Sequence, residues 1–182
     1  QAADIHSLDL DIVHAGMDQR KIHMLVREIF PKMKWKVPVA VHHSLLPGLT
    51  QPKGDATAEP GKMSKSDPNS GIFIHNSDDE ITKKIRKGWC EEGLTENNPV
   101  LELARQIVFH EYNSISIERP EKFGGNITYN SYEELEADFA QKKLHPGDLK
   151  NTIGEYMVKI ISPIRDKISL SNELFELIKN SH

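Results

Sequence analysis

The fold is decided by residues 8–43, which read LDLDIVHAGMDQRKIHMLVREIFPKMKWKVPVAVHH. Residues 8–15 are largely apolar and end at Gly16, which predicts a strand. After it, Asp18 can cap a helix whose apolar residues recur every three or four positions. Alternating valines in 37–41 predict a second, buried strand. A strand, a helix and a strand in this order form a βαβ unit, so the sequence predicts an α/β fold with a parallel sheet.

The next segment, residues 47–71, is a long loop that contains four prolines and four glycines. Loops of this length in compact domains are usually functional or disordered. Within it, Gly61 is followed by KMSKS at 62–66, which sets two ammonium groups and two hydroxyls close together. Lysines on such a loop can bind a polyphosphate and stabilise the charge of a leaving pyrophosphate. The alternative is a solvated polar loop, which is the better interpretation of any isolated pair of lysines.

This loop does not fit a P-loop, because that motif needs four residues between its first Gly and the Gly-Lys pair. Six residues separate Gly54 from Gly61, and Met63 rather than Ser or Thr follows Lys62. The spacing therefore excludes the P-loop class of nucleotide-binding proteins.

The second half of the chain is predicted to be mostly helical. Two capping boxes and one Asn-Pro pair indicate helix starts: Ser77 with Glu80, Ser131 with Glu134, and Asn98 with Pro99. Alternating apolar residues on both sides of 123–125 predict a small ribbon or an irregular insert. Apolar residues at helical spacing over 149–168 predict a long helix, kinked near Pro163, and a short last helix runs over 174–178.

Composition and charge exclude several classes of protein. The net charge is −4, which argues against a uniformly basic nucleic-acid-binding surface but leaves room for a local basic patch. The single cysteine, Cys90, cannot form an intramolecular disulfide and favours a reducing compartment, most simply the cytoplasm. No apolar run approaches the ~18 residues of a transmembrane helix, and no signal peptide is recognisable. The sequence does not begin with Met, so we expect it to be part of a longer chain.

KMSKS is the second signature of class I aminoacyl-tRNA synthetases. Over nearly its whole length, the chain resembles the C-terminal half of an archaeal or eukaryotic-type tyrosyl-tRNA synthetase. The resemblance is carried by QAADIH at 1–6, GMDQRKIHM at 16–24, KMSKS at 62–66, RPEKFGG at 119–125 and LHPGDLK at 144–150. It implies a tyrosine–tRNA ligase whose residues 1–94 form the second half of a Rossmann-type catalytic domain. Residues 95–182 are then a mostly helical anticodon-binding domain.

The resemblance implies that Gln1, Asp4 and Gln19 hold the tyrosine substrate. Asp4 matches the carboxylate that accepts a hydrogen bond from the phenolic hydroxyl. Such a carboxylate stays buried and unpaired when phenylalanine binds, so it can favour tyrosine. Taken one at a time, Asp4 is better interpreted as a helix cap and Gln19 as a surface residue, and only the joint pattern suggests a site.

The resemblance also implies an ATP site on the signature loop, with Lys62 and Lys65 as the catalytic residues. The expected ATP-binding residues are Lys62, Met63, Ser64, Lys65 and Ser66. Mg²⁺ is expected to enter with ATP and to be held mainly by its phosphates.

The implied macromolecular partner is tRNA-Tyr. Arg20 and Lys21 are expected to meet the first base pair of its acceptor stem, although such a pair alone is usually a solvated face. Phe123 is expected to stack on an anticodon base, because unpaired RNA is commonly read by stacking and base-edge hydrogen bonds. The pocket around that base is expected to be shaped by three residues: His145, Pro146 and Asp148. Without the resemblance, a core aromatic and a helix-start loop would be the better interpretations.

Several expectations concern what the chain lacks. His42 and His43 are adjacent and no HExxH or CxxC spacing occurs, so we predict no structural metal. The first class I signature, HIGH, does not occur in the sequence, so we expect this chain to be inactive alone. The full-length enzyme is expected to be a homodimer without membrane contact. Two alternatives stay open: a non-catalytic RNA-binding or signalling module derived from the same fold, and a tryptophanyl-tRNA synthetase relative.

Overall fold

The structure is a computed structural model that describes residues 1–51, 61, 63 and 67–168. These residues form two compact units, Gln1–Leu45 and a second unit that begins at Leu46. The elements of the first unit are α1 (Ala2–Ser7), β1 (Ile12–Gly16), a 3₁₀ turn (Met17–Gln19), α2 (Arg20–Ile29) and β2 (Val39–His43). Those of the second unit are α3 (Asp78–Lys87), α4 (Pro99–Leu103), a π-helical segment (Ala104–Val108), α5 (Phe109–Glu111), β3 (Ile115–Ile117), a 3₁₀ turn (Glu121–Phe123), β4 (Ile127–Tyr129), α6 (Tyr132–Ala140) and α7 (Pro146–Lys167).

The first unit is the predicted βαβ unit. Strands β1 and β2 pair in parallel, with Ile12 opposite Val39 and Gly16 opposite His43, and α2 lies between them in the chain. The predicted α/β fold class with a parallel sheet is therefore confirmed. The buried core of this unit is small and consists of Ile5, Val13, Val26 and Phe30.

The first strand begins later than predicted, because residues 2–7 form α1 and residues 8–11 form a connection. Asp9 has a φ of 48°, in the left-handed region, which interrupts an extended chain. The amide of Leu10 still donates to the carbonyl of Ile5, 3.3 Å away, as the chain leaves α1. The alternation of apolar and acidic residues over 8–11 therefore comes from a turn and not from a strand.

Strand β2 is not buried on both faces, so the prediction of a buried strand is wrong in this respect. Val39 and Val41 are 62% and 47% exposed, whereas Ala40 between them packs against the core of the unit. Successive side chains of a strand point to opposite faces, so one face of β2 contacts the core and the other is open.

The second unit has the larger core, to which every one of its helices and the β3–β4 hairpin contribute. Helix α3 buries Ile81 and Ile85 and packs against α7, which buries Ile153 and Met157. The hairpin is antiparallel, with Ile115 opposite Tyr129, as the predicted ribbon required.

The predicted helix starts are present in the second unit. Ser77 and Glu80 form a complete capping box, and the Asn98 side chain accepts from the amides of the first turn of α4. Ser131 accepts from the amide of Glu134, but the Glu134 carboxylate accepts from the amide of Asn130 and not from that of Ser131. The second capping box is therefore only half formed as predicted.

Two predicted helices differ from expectation or cannot be compared. The helix predicted to start at Asn98 and Pro99 begins at Pro99 and runs into the π-helical segment Ala104–Val108, so it is not a single regular helix. Helix α7 continues through Pro163 to Lys167. The short helix predicted over 174–178 lies outside the described residues.

The predicted domain boundary at residue 94 stays a prediction. The two compact units divide the chain between Leu45 and Leu46 instead, and α3 shares one hydrophobic core with helices that follow residue 95. Among the described residues, no helix combines the length and the apolar character needed to cross a membrane.

Candidate functional site

Helix α1 carries two of the residues predicted to bind tyrosine. Gln1 is its N-cap residue, and Asp4 lies in its first turn with a side chain that is 77% exposed. Ile5, which follows Asp4, is buried in the core of the first unit and fixes the helix there. The carboxylate therefore stands on an anchored element and is open to a ligand.

Gln19 lies at the carboxyl end of β1, where ligands of open α/β sheets bind. The 3₁₀ turn Met17–Gln19 leads straight from β1 into α2, and Gln19 is half-buried at the N-cap of that helix. Its Nε2 donates to Oδ2 of Asp18 at 3.1 Å, so the amide is already oriented.

The strand end is closely packed. A Cβ added at Gly16 would lie 2.7 Å from Oδ1 of Asp18 and 2.7 Å from Cδ2 of Leu45. A larger residue at this position would therefore make the side chains of Asp18 and Leu45 move.

The two basic residues predicted to meet the acceptor stem, Arg20 and Lys21, form the first turn of α2 and are exposed. They belong to the same compact unit as Asp4 and Gln19, and α1 contacts α2. The tyrosine-binding and acceptor-stem predictions therefore concern one unit.

Two histidine pairs next to this strand end were not predicted. Nδ1 of His23 lies 2.9 Å from Nε2 of His42, and Nδ1 of His43 lies 3.0 Å from Nε2 of His14. His23 is only 2% exposed, and burial, with a smaller contribution from His42, lowers its pKa. In the parallel register His14 lies opposite Val41, and His43 lies two residues further along the same face of β2. The sequence signal was therefore the presence of histidines near the ends of both predicted strands.

No group of three or more His, Cys, Asp or Glu side chains that could hold a metal occurs in residues 1–51, 61, 63 and 67–168. The thiol of Cys90 is half-buried against the core of the second unit and accepts a weak hydrogen bond from Nδ2 of Asn98 at 3.4 Å. Burial raises the pKa of this thiol.

The signature loop is described only in part. Lys62, Ser64, Lys65 and Ser66 lie outside the described residues, whereas Gly61 and Met63 belong to them. The amide of Gly48 donates to the carbonyl of Gly61 at 2.6 Å, and the amide of Met63 donates to the carbonyl of Leu46 at 3.5 Å. The Met63 side chain is half-buried and packs against the core of the second unit. The second residue of the signature, Met63, is thus attached to the fold.

Phe123 is exposed, as a residue that stacks on a base must be. It ends the short 3₁₀ turn Glu121–Phe123, and 62% of it is accessible to solvent. Gly124 and Gly125 follow with φ values of 99° and 71°, which residues with a side chain rarely adopt. The interpretation of Phe123 as a core aromatic is therefore wrong.

The residues predicted to shape the anticodon pocket begin α7. His145 is the N-cap residue, and its Nδ1 accepts from the amide of Gly147 at 3.0 Å. Pro146 is the first helical residue, and Asp148 lies half-buried in the first turn. A carboxylate at a helix N-terminus complements the helix dipole, and its oxygens can accept hydrogen bonds from the edge of a base.

Arg119 connects the Phe123 turn to the chain that leads into α7. Its Nε donates to the carbonyl of Gly125 at 3.0 Å, and its Nη1 donates to the carbonyl of Lys143 at 2.9 Å, two residues before His145. One side chain therefore holds the backbone two residues after Phe123 and the backbone two residues before His145. Arg119 belongs to the RPEKFGG motif, but the sequence alone did not indicate which carbonyls its guanidinium group binds.

The chain belongs to the class I tRNA synthetases for tryptophan and tyrosine, because the model of that family, "tRNA synthetases class I (W and Y)", matches residues 1–162. Within the family it is similar to tyrosine enzymes. It is 45% identical to the tyrosine–tRNA ligase of Thermococcus sibiricus and 43% identical to that of Pyrococcus abyssi, over 99% of this chain and 53% of each relative.

Solved structures agree with this assignment. The tyrosyl-tRNA synthetase of Pyrococcus horikoshii, complexed with L-tyrosine, matches 98% of this chain and 53% of its own with a TM-score of 0.89 and 41% identity. The tryptophanyl-tRNA synthetase of Giardia lamblia matches with a TM-score of 0.56 and 22% identity, which is a likeness of fold alone. This chain spans about half the length of the curated relatives it matches.

Proposed function

We propose that this chain is the C-terminal part of a tyrosine–tRNA ligase of the archaeal or eukaryotic type. The observation that carries the proposal is the similarity to archaeal tyrosine–tRNA ligases along 99% of the chain. A tryptophan enzyme is less well supported, since the tryptophanyl relative is only 22% identical.

The proposed reaction has two steps. A carboxylate oxygen of tyrosine attacks the α-phosphorus of ATP. The bond from this phosphorus to the oxygen that bridges it to the β-phosphorus breaks, which gives tyrosyl-adenylate and pyrophosphate. A ribose hydroxyl at the 3′ end of tRNA-Tyr then attacks the tyrosyl carbonyl, and AMP leaves. Neither step needs a covalent bond to the enzyme, so catalysis rests on positioning and on stabilisation of charge. Mg²⁺ accompanies ATP and is bound mainly by its phosphates.

In this proposal Gln1, Asp4 and Gln19 bind tyrosine. The support is the exposed Asp4 carboxylate on an anchored helix and the oriented Gln19 amide at the end of β1. Arg20 and Lys21 contact the acceptor stem, which their exposure at the start of α2 allows.

Lys62 and Lys65 are proposed to stabilise the leaving pyrophosphate, and Met63, Ser64 and Ser66 to complete the ATP site. Lysine ammonium groups act as point charges that bind phosphate, and they assist most where negative charge grows in the transition state.

Phe123, His145, Pro146 and Asp148 are proposed to bind the anticodon. Their support is the exposed Phe123 ring, together with the bonds of Arg119 to the carbonyls of Gly125 and Lys143, which lie close in the chain to Phe123 and to His145. The proposal also includes a boundary near residue 94 between the catalytic and anticodon-binding domains, a homodimer of the full-length enzyme, and a cytoplasmic location.

The test is tyrosine-dependent exchange of pyrophosphate into ATP, measured on the complete ligase chain that contains these residues. Asp4→Ala should lower kcat/KM for tyrosine by about 10- to 150-fold, because a hydrogen bond to a charged group is lost, and should change it little for phenylalanine. Glu28→Ala, which removes an exposed carboxylate of α2, serves as the matched control. Equal losses for both amino acids would mean that Asp4 supports the fold and not the choice of substrate. A chain without exchange activity that still binds RNA would favour the non-catalytic module.

A further inference from the structure

Lys84 differs from the other lysines of α3. Lys83 and Lys87 are exposed, whereas Lys84 is half-buried and its ammonium group points into the fold. Its Nζ donates to the carbonyl of Gly71 and to Oδ1 of Asn76, each at 2.9 Å. Burial lowers the pKa of Lys84, and the nearby Glu80 carboxylate opposes this effect.

The segment held by Lys84 follows the signature loop in the chain. Lys84 Nζ also lies 4.8 Å from the centroid of the Phe73 ring, so it contacts three residues of 71–76. Asn76 Oδ1 accepts a second hydrogen bond, from the amide of Phe73 at 2.9 Å, which closes this segment on itself. The segment is therefore organised around a single ammonium group.

A second cation fixes the far end of the segment. Nη1 of Arg165 on α7 donates to the carbonyl of Asn76 at 2.6 Å, and its Nη2 pairs with Oδ1 of Asp78 at 2.8 Å. Ser162 donates to the same Asp78 oxygen at 2.7 Å. Side chains from two helices, Lys84 of α3 and Arg165 of α7, thus bind Asn76. Of these two side chains, Lys84 also binds the carbonyl of Gly71.

Gly71 lies next to the signature. A Cβ built at Gly71 would be in van der Waals contact with Cβ of Met63 at 3.4 Å and with Cζ of Phe73 at 3.5 Å. Met63 is the residue of the signature whose placement the structure describes, and its side chain packs against the core of the second unit.

We propose that Lys84 is a positioning residue for adenylate formation: by holding the Gly71 carbonyl, it fixes the backbone that lies next to Met63, a residue of the proposed ATP site. The inference rests on the proposed function. Its physical reason is that a shift of about 1 Å in groups that stabilise a transition state can cost up to ~100-fold in rate.

The experiment compares Lys84→Met with Lys83→Met in the complete ligase chain. Lys84→Met keeps an unbranched apolar side chain, one atom shorter than lysine, and removes the charge and the donors. Lys83→Met makes the same change one position earlier. Lys84→Met should lower kcat for pyrophosphate exchange about tenfold, while the dissociation constant for tyrosine and the affinity for an anticodon stem-loop stay within twofold of wild type. Lys84→Arg, which keeps donors at similar reach, should recover most of the rate.

A double variant tests whether Lys84 acts through Met63. If it does, Lys84→Met combined with Met63→Ala should lose no more than the larger of the two single losses, because both remove the same support. Fully additive losses, or equal rates for Lys84→Met and Lys83→Met, would overturn the proposal. So would a proportional loss of tyrosine binding, stem-loop binding and exchange, since that pattern indicates a general defect of the fold.

Two further measurements keep the outcome clear. If Lys84→Met does not fold, Lys84→Gln is used instead, which is shorter than lysine but retains an amide donor. Lys84→Gln should lower kcat more than Lys83→Gln does. Equal rates for these two variants would overturn the proposal. Lys65→Ala reports on the proposed function separately. If Lys65→Ala exchanges as fast as wild type, the function assigned to the signature is wrong, whereas slow Lys65→Ala with normal Lys84→Met rejects only the positioning role.

Discussion

Replacement of Phe123 by alanine should weaken binding of the tRNA-Tyr anticodon stem-loop without disturbing the fold. The ring is 62% exposed at the end of a short 3₁₀ turn, so its loss removes little core packing. Lys122 Nζ lies 4.8 Å from the centroid of the Phe123 ring, so an ammonium group lies close to this ring. We expect a base to stack on the part of the ring that is open to solvent.

The size of the effect follows from this geometry. Stacking of a base on an aromatic side chain is worth about 1–3 kcal/mol by alanine substitution. Phe123 stands on an open surface and not between two walls, so we expect about 1–2 kcal/mol, which is a factor of roughly 5–30 in the dissociation constant. Non-specific attraction between the chain and the RNA phosphates cannot mask this loss, because the net charge of the chain is −4.

The assay is a fluorescence anisotropy titration of a labelled stem-loop with the 182-residue chain. The matched control is Ile164→Ala, which truncates another exposed apolar residue of the second unit, 45% exposed. Ile164 lies on α7 about 24 Å along the helix axis from Asp148, so it should not contact the same base. Thermal unfolding of each variant is measured in parallel.

Unchanged affinity in a folded Phe123→Ala chain would refute the stacking role. Equal weakening by Ile164→Ala would refute it as well, because the loss would then be a general effect of removing exposed apolar surface.

Three other outcomes are expected. In titrations against stem-loops that differ only at the first anticodon position, the wild-type chain should prefer G. Asp148→Ala should reduce this preference by about 1–3 kcal/mol if base-edge energies known from DNA apply. Equal affinity of the wild-type chain for all four bases would contradict the anticodon assignment. In the complete ligase, Lys62→Ala or Lys65→Ala should slow adenylate formation in single-turnover measurements with little change in tyrosine affinity; a collapse of tyrosine binding at an unchanged chemical step would reject it. Asn98→Ala should lower the free energy of unfolding by about 1–2 kcal/mol in urea denaturation, because the buried side chain caps two amides of α4; a smaller loss than that of an exposed Asn151→Ala would show that the cap is dispensable.

Local signals were predicted from the sequence because they depend on near neighbours in the chain. The capping box of Ser77 and the cap of Asn98 satisfy amides two or three residues away, so their side chains must lie where the sequence puts them. The βαβ unit followed from hydrophobic periodicity, which fixes the class of fold when strand, helix and strand alternate.

The same local patterns failed where burial depends on distant neighbours. Alternating valines predicted a buried β2, but which face of a strand meets a core depends on the elements packed there, and only Ala40 faces the core of the first unit. The acidic and apolar alternation of 8–11 looked like a strand until Asp9 proved to be a turn residue with positive φ.

The sequence by itself determined the family, the candidate residues and the caps of α3 and α4, because motifs and caps are properties of contiguous residues. It did not determine the start of α2, where Gln19 and not the predicted Asp18 is the N-cap residue. Tertiary structure alone decided which residues share a surface and which support one another. Arg119 joins carbonyls at 125 and 143, and Lys84 reaches back to 71 and 76, pairs whose separation in the chain carries no periodic signal. Long side chains with several donors can bind carbonyls wherever the fold brings them, so their partners become known only when the chain is folded.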